Sequence, residues 1–221
     1  MARREADFYP TPRWPVRRLL ERVPLPGGRW WEPCAGEGAI IRAVERDDIR
    51  WTATELREEA RSRLDETGAA VVIANVFAVL RGEPLVDTDS FDVIISNPPF
   101  SCTDEIIRRL LPRVRCPVVM LLPLDWQCSE DREWLVGHEP DIWALPERPS
   151  FDGEGTDMKC VGWYIWPQGG AYRNEGRRGR LALTPLAQRD KGTLPAWASS
   201  QLDLGYIAQD LPAVRAGRLG T

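Results

Sequence analysis

Short apolar runs rich in β-branched and aromatic residues alternate with segments whose apolar positions recur at helical spacing, and this alternation covers most of the 221 residues. Trp14, Val16, Leu19 and Leu20 predict a helix over Arg13–Arg22, with Thr11 as its N-cap and Pro12 at the first helical position. Residues 29–31 read as a strand and 40–46 as a helix. Residues 50–54 read as a second strand, followed by a helix over 56–67 that Gly68 ends. Residues 69–74 form a third strand ending in Asn75-Val76-Phe77, and 82–90 a polar loop. A fourth strand spans 91–96, and Thr103 caps a helix running to Leu111. Residues 117–122 are continuously apolar, as a strand buried on both faces of a parallel sheet should be. Residues 126–138 are helical in pattern, 141–145 a short sixth strand and 161–166 a seventh. In the seventh, Val161, Trp163 and Ile165 share one face, and Tyr164 and Trp166 the other. The pattern predicts an α/β doubly wound, Rossmann-like sheet of seven strands, mostly parallel, with an antiparallel last strand.

Composition sharpens this picture little. Hydrophobic content of 43% and charged content of 28% describe an ordinary globular chain. No apolar run reaches the ~18 residues of a membrane span, and the N-terminus lacks an apolar signal core, so no membrane association and a cytoplasmic location are expected. Five cysteines without a C-x-x-C pair read as reduced thiols, and the single histidine, His138, as a surface residue; no metal site is expected. The net charge of −4 gives no support for a nucleic-acid partner, but local basic patches matter more than the total. After Pro167 the character changes: Arg173, Arg177, Arg178 and Arg180 sit in a glycine-rich loop, either solvated or facing phosphates. A domain over residues 1–180 is expected, followed by a tail over 181–221 that is partly disordered or loosely docked.

The chemistry-bearing residues fall at strand ends, where open α/β sheets bind ligands. Ser96-Asn97-Pro98-Pro99-Phe100 closes the fourth strand. Two prolines fix φ twice and remove two donors, so the chain leaves the sheet in one stiff direction and presents the Asn97 amide and neighbouring carbonyls beside Phe100. Carbonyl oxygens that accept amine hydrogens, next to an aromatic ring, suit a planar substrate bearing an amino group. Glu32-Pro33-Cys34-Ala35-Gly36-Glu37-Gly38 links the first strand to a helix. Its glycines let the backbone approach a ligand, but Ile41 stands where a dinucleotide fingerprint has its third glycine, and Glu32 suits an ammonium group better than a pyrophosphate. Glu55 ends the second strand, where an acid either accepts ribose hydroxyls or complements a helix start.

Glu32-x-x-x-Gly36-x-Gly38, Glu55, Asn75 and Asn97-Pro98-Pro99-Phe100, in this order, resemble the S-adenosylmethionine-dependent amino-methyltransferases. Phe8-Tyr9-Pro10-Thr11-Pro12 and the Arg148-Pro149-Ser150-Phe151 loop make the closer likeness one to small phage-type adenine-N6 DNA methyltransferases. The resemblance covers roughly residues 7–167, and release-factor glutamine and some RNA methyltransferases share its Asn-Pro-Pro-aromatic motif.

It implies S-adenosylmethionine as cofactor. The methionine end would be held by Glu32, Pro33, Cys34, Gly36 and Gly38, under Tyr9, Pro10, Thr11 and Pro12. The resemblance also implies Glu55 at the ribose hydroxyls, Asn75 at the adenine amine with Val76 or Phe77 packing on its ring, and Leu56 among the cofactor-binding residues, with Asn75 departing from the more usual Asp. Asn97, which would also touch the cofactor, and Pro98, Pro99 and Phe100 would act on a flipped-out adenine of DNA, with Phe151, Arg148, Arg177 and Arg178 contacting substrate. Phe151 serves equally well as a core plug. RNA or a protein glutamine stands as the alternative substrate, a non-catalytic nucleic-acid-binding domain as a further reading, and the assembly expected is a monomer or weak dimer.

Overall fold

Apolar runs build the strands at β1 (Gly28–Glu32), β2 (Ile49–Glu55), β3 (Ala70–Ile73), β4 (Val93–Ser96), β5 (Val118–Pro123), β6 (Asp141–Ala144) and β7 (Val161–Trp166). The computed structural model describes residues 10–136, 138–149 and 159–167. All of them lie in the first of two units into which the chain divides, residues 1–184. The strands form one seven-stranded sheet in the order β3-β2-β1-β4-β5-β7-β6. β1 pairs in parallel with β2 and β4, β2 with β3, and β4 with β5. β7 runs antiparallel to both of its neighbours, β5 and β6.

The order reverses at β1, which lies between β2 and β4. The carboxyl ends of β1 and β4 therefore open a crevice at the switch point.

Helix α1 (Arg13–Arg22) precedes β1, and α2 (Ala39–Ala43), α3 (Arg61–Asp65), α4 (Val76–Leu80) and α5 (Thr103–Leu110) connect the strands from β1 to β5. On one face of the sheet Trp31, Ile94, Met120, Tyr164 and Trp166 pack against Val79 and Leu80 of α4 and Ile106, Ile107 and Leu110 of α5. On the other, Trp30, Ile95, Val119, Trp163 and Ile165 pack against Val16 and Leu19 of α1 and Ile40 of α2. The period-2 division of β7 into a Trp163 face and a Tyr164 face is the one read from the sequence.

Four large indoles of the core find a partner for their N–H, while the buried Trp126 Nε1 has none among the described residues. Trp30 donates to the Pro26 carbonyl, Trp31 to Thr54 Oγ1, Trp163 to the Pro15 carbonyl and Trp166 to the His138 carbonyl. Tryptophan therefore fastens helices and loops to the sheet as well as filling the core.

Five expectations are corrected. Thr103 does not cap α5: it is the first helical residue, the cap residue is Cys102, and the Thr103 hydroxyl donates to the Pro99 carbonyl. The helix over 56–67 shortens to a 3-10 turn, Glu58–Ala60, and α3. The helix over 126–138 is turns and the 3-10 stretch Glu130–Leu135, broken at Arg132. Residues 75–77 do not extend β3: Asn75 caps the short helix α4 through its side chain, which accepts the Phe77 N–H at 2.9 Å. At α1 the cap residue is Pro12, and Thr11 spends its hydroxyl elsewhere.

Gly162 shows how tightly β7 is held. A Cβ there would lie 2.8 Å from Leu124 Cδ2 and 2.9 Å from the Trp143 carbonyl oxygen. The leucine tip can move, but the β6 backbone cannot without breaking the ladder. Gly162→Ala is expected to destabilise the protein by about 1–3 kcal/mol, the usual cost of overpacking, read as a lower midpoint in urea with an unchanged slope.

Candidate active site

One cavity opens at the carboxyl ends of β1, β2, β3 and β4. From β1 and the turn after it come Glu32, Pro33, Cys34 and Gly36; from the end of β2, Glu55 and Leu56. Asn75, Val76 and Phe77 line it at the start of α4, Asn97 and Pro99 after β4, and Pro10 and Thr11 ahead of α1. Segments as far apart in sequence as Thr11 and Asn97 therefore meet at one place.

Other candidates lie elsewhere. Gly38 is behind the cavity wall with φ +81°, and a Cβ there would meet Thr67 Cγ2 at 2.9 Å. Its glycine serves close packing of the turn against α3. Pro12 and Pro98 do not line the cavity, Phe100 stands outside the lining with 40% of its surface exposed, and Arg148 is exposed outside it. Tyr9, Phe151, Arg177 and Arg178 lie outside the described residues, as does the tail.

Glu32 is 2% exposed, and its Oε2 has no hydrogen-bond partner among the described residues. Burial, with the nearby Glu55 carboxylate, pushes its pKa well above the carboxylate range; a hydrogen bond from the Ile41 backbone pulls weakly the other way. A buried carboxyl with an unpartnered oxygen at a cavity wall is poised to meet a cation.

Glu55 is already engaged. Its Oε2 accepts the Gly36 N–H at 2.7 Å, and its Oε1 accepts the Arg57 backbone N–H at 3.0 Å and side-chain Nε–H at 2.8 Å. A carboxylate has about four lone-pair sites, so Glu55 can hold the glycine turn and still accept a ligand hydroxyl. Gly36, with φ 57°, is left-handed, and this conformation turns its N–H toward β2. Burial and the neighbouring Cys102, Glu55 and Glu32 all push the Cys34 thiol up, so it stays protonated and acts as an apolar wall, not a nucleophile.

The loop after β4 has several of its polar groups allotted. The Pro99 carbonyl takes the Cys102 N–H at 3.1 Å and the Thr103 hydroxyl at 2.9 Å, fastening the loop to the start of α5. No backbone hydrogen bond among the described residues ends on the Pro98 carbonyl. Asn97 Nδ2 donates to Thr11 Oγ1 at 3.1 Å.

Sequence reasoning misses Ala35, Glu37, Ala39, Arg57, Ala74 and Cys102, all of which line the cavity. All six sit within two positions of a residue that the motifs single out, so contiguity is the available signal. Arg57 has no motif of its own: its place follows from an ion pair back to Glu55.

Among the described residues no group of three or more His, Cys, Asp or Glu is arranged to hold a metal ion, and no helix is long and apolar enough to cross a membrane.

No protein-family model matches the chain. Two strains of Halobacterium salinarum carry a protein named "Probable ribosomal RNA small subunit methyltransferase A", 32% identical over 115 residues. The match spans 49% of this chain and 40% of the relative, so it covers under half of either protein. Among solved structures, the 23S rRNA methyltransferase ErmE superposes with a TM-score of 0.53 at 17% identity, covering 74% of this chain and 71% of that one. An RNA methyltransferase from Salinibacter ruber, solved with S-adenosyl-L-homocysteine, gives 0.45 at 20% identity over 72% and 94%. The chain has the Rossmann-like methyltransferase fold.

Proposed function

We propose that this chain is an S-adenosylmethionine-dependent methyltransferase that modifies the exocyclic N6 amine of adenine in RNA. The observation that carries the reading is one cavity lined both by a buried, unpartnered carboxyl, Glu32, and by Asn97 from the Asn-Pro-Pro-Phe loop. The wall fits the cofactor. Among the described residues Glu32, Glu37 and Glu55 line it, and the one arginine there, Arg57, is paired with Glu55, so the cavity favours an ammonium and hydroxyls over a polyphosphate. Glu32 would take the ammonium, Glu55 one ribose hydroxyl, and Asn75 Oδ1 the adenine amine, with Leu56 and Phe77 against the ring.

The cofactor supplies an electrophilic methyl on a cationic sulfur, which leaves as a neutral thioether. The chain's own residues prepare the acceptor. An exocyclic amine is a weak nucleophile because its lone pair is delocalised into the ring. Asn97 Oδ1 and the Pro98 carbonyl accept its two hydrogens, which favours a tetrahedral nitrogen and localises the lone pair. Both prolines hold these acceptors without reorganisation, so the gain is alignment and charge placement. Phe100, exposed beside them, offers a stacking face to an unstacked base.

RNA is favoured over DNA because the halobacterial relatives bear ribosomal RNA methyltransferase names. DNA keeps one observation in its favour: Pro10 and Thr11, from the segment that resembles the DNA enzymes, line the cavity. The test is transfer of labelled methyl to unmodified ribosomal RNA, duplex DNA and a release-factor protein in parallel, followed by nucleoside analysis. Label in N6-methyladenosine of RNA is the expected result. Label in DNA alone transfers the assignment to DNA, label in protein overturns the nucleic-acid reading, and no cofactor binding by calorimetry overturns the whole proposal.

A further inference from the structure

Thr11 stands two positions before α1, where the sequence pattern makes it a cap, yet the cap residue is Pro12 and no side-chain cap bond forms. Its hydroxyl, on a residue only 7% exposed, instead accepts the Asn97 Nδ2–H across 86 positions of sequence. We infer that Thr11 is a positioning residue that sets which end of the Asn97 amide faces the substrate amine. This rests on the reading of Asn97 as an amine-binding acceptor.

An amide presents an acceptor on one side and donors on the other. Turned over, Asn97 would set its N–H groups against the N–H groups of an incoming amine and could not bind it. With Nδ2 turned to Thr11, Oδ1 is the end that meets the substrate. A hydroxyl can also donate, so the contact selects one orientation only when the Thr11 proton is committed elsewhere. Thr11 lines the cavity, where a carboxylate of the amino-acid part of the cofactor can take that proton. Thr11 Oγ1 is then an acceptor alone and draws the Asn97 amino group toward it. Hydrogen bonds in such a chain polarise one another, which makes Oδ1 a better acceptor. Cofactor binding thereby sets the substrate-binding end of Asn97.

The experiment compares wild type, Thr11→Val, which keeps shape and loses the hydroxyl, and Thr11→Ser, which keeps it. Methyl transfer at saturating cofactor is expected to fall about 10²-fold in Thr11→Val, as misplacement of a reacting group does, while cofactor affinity falls about 10- to 10²-fold, the loss of one hydrogen bond to a charged group. Thr11→Ser is expected to recover most of both. In the protein without nucleic acid, exchange of the Asn97 side-chain amide protons, followed by NMR, is expected to slow on adding S-adenosylhomocysteine in wild type and not in Thr11→Val.

Transfer at the wild-type rate in Thr11→Val once cofactor saturates would reduce Thr11 to a cofactor contact. Equal loss in Thr11→Ser would show that the hydroxyl is not the cause. Wild-type amide exchange that ignores the cofactor overturns the inference even if Thr11→Val does not fold. If no nucleic acid is methylated, the proposed substrate fails, and the amide exchange still decides the role of Thr11.

Discussion

Asn97→Ala is expected to lower methyl transfer by about 10²–10³-fold, the loss seen when one preorganised group facing developing charge is removed. The magnitude follows from how few acceptors the loop can offer. The Pro99 carbonyl is consumed by Cys102 and Thr103 at the start of α5, and the β4 carbonyls lie within the sheet. The proposed pair is Asn97 Oδ1 and the Pro98 carbonyl, and one acceptor cannot hold both amine hydrogens. Cofactor affinity should change by under about threefold, because the interaction is made with the reacting amine and not with the cofactor. Asn97→Asp keeps an acceptor but cannot donate to Thr11, so its activity should lie between alanine and wild type. Single-turnover transfer with calorimetric cofactor binding measures both quantities. A matched fall in affinity and turnover for alanine would place Asn97 in cofactor binding and remove it from the chemistry.

Glu32→Gln is expected to do two opposite things. Cofactor affinity should fall on the order of 10²-fold, because the variant removes one partner of a buried charge pair. Stability of the ligand-free protein at neutral pH should rise. Burial raises the Glu32 pKa, so the folded state binds this proton more tightly than the unfolded state does. The carboxyl costs nothing at low pH, where both states hold the proton. Its penalty develops as pH climbs above the ordinary carboxylate range and is complete once the raised pKa is passed. The melting temperatures of variant and wild type should therefore converge in acid and separate toward neutral and alkaline pH, with Gln the more stable. For the same reason wild-type cofactor binding should tighten with rising pH. Below the raised pKa it should release a proton, measurable by calorimetry in buffers of different ionisation enthalpy. Equal melting temperatures at every pH would show that Glu32 is not held neutral by burial.

Asn97 and Glu32 are legible in the sequence because their signals are local. Asn97 sits between an apolar run and two prolines, and Glu32 ends another apolar run four positions before Gly36. Strand positions are legible for the same reason. A strand buried on both faces needs unbroken apolar residues, as in Val118–Pro123, and a period-2 alternation divides Val161–Trp166 between two cores. Helix lengths are less so. Residues 56–67 and 126–138 carry helical spacing, but α3 shrinks to five residues and the second segment breaks at Arg132. Arg132 there pairs with Asp104 and stacks over the Trp126 ring, 4.6 Å from its centroid. Packing against α5 overrides intrinsic spacing.

The sequence by itself determined the order of elements, the doubly wound sheet and the strand ends at which chemistry could gather, because periodicity and proline stiffness act over a few neighbouring residues. Tertiary structure alone decided what each polar atom does. It turned Thr11 from a helix cap into a partner of Asn97, and engaged both oxygens of Glu55 with Gly36 and Arg57. It also moved Gly38 from the ligand to the packing of α3, and left Glu32 Oε2 unpartnered among the described residues. Hydrogen bonds and desolvation depend on distances of a few ångströms between residues many positions apart, and no local pattern encodes those distances.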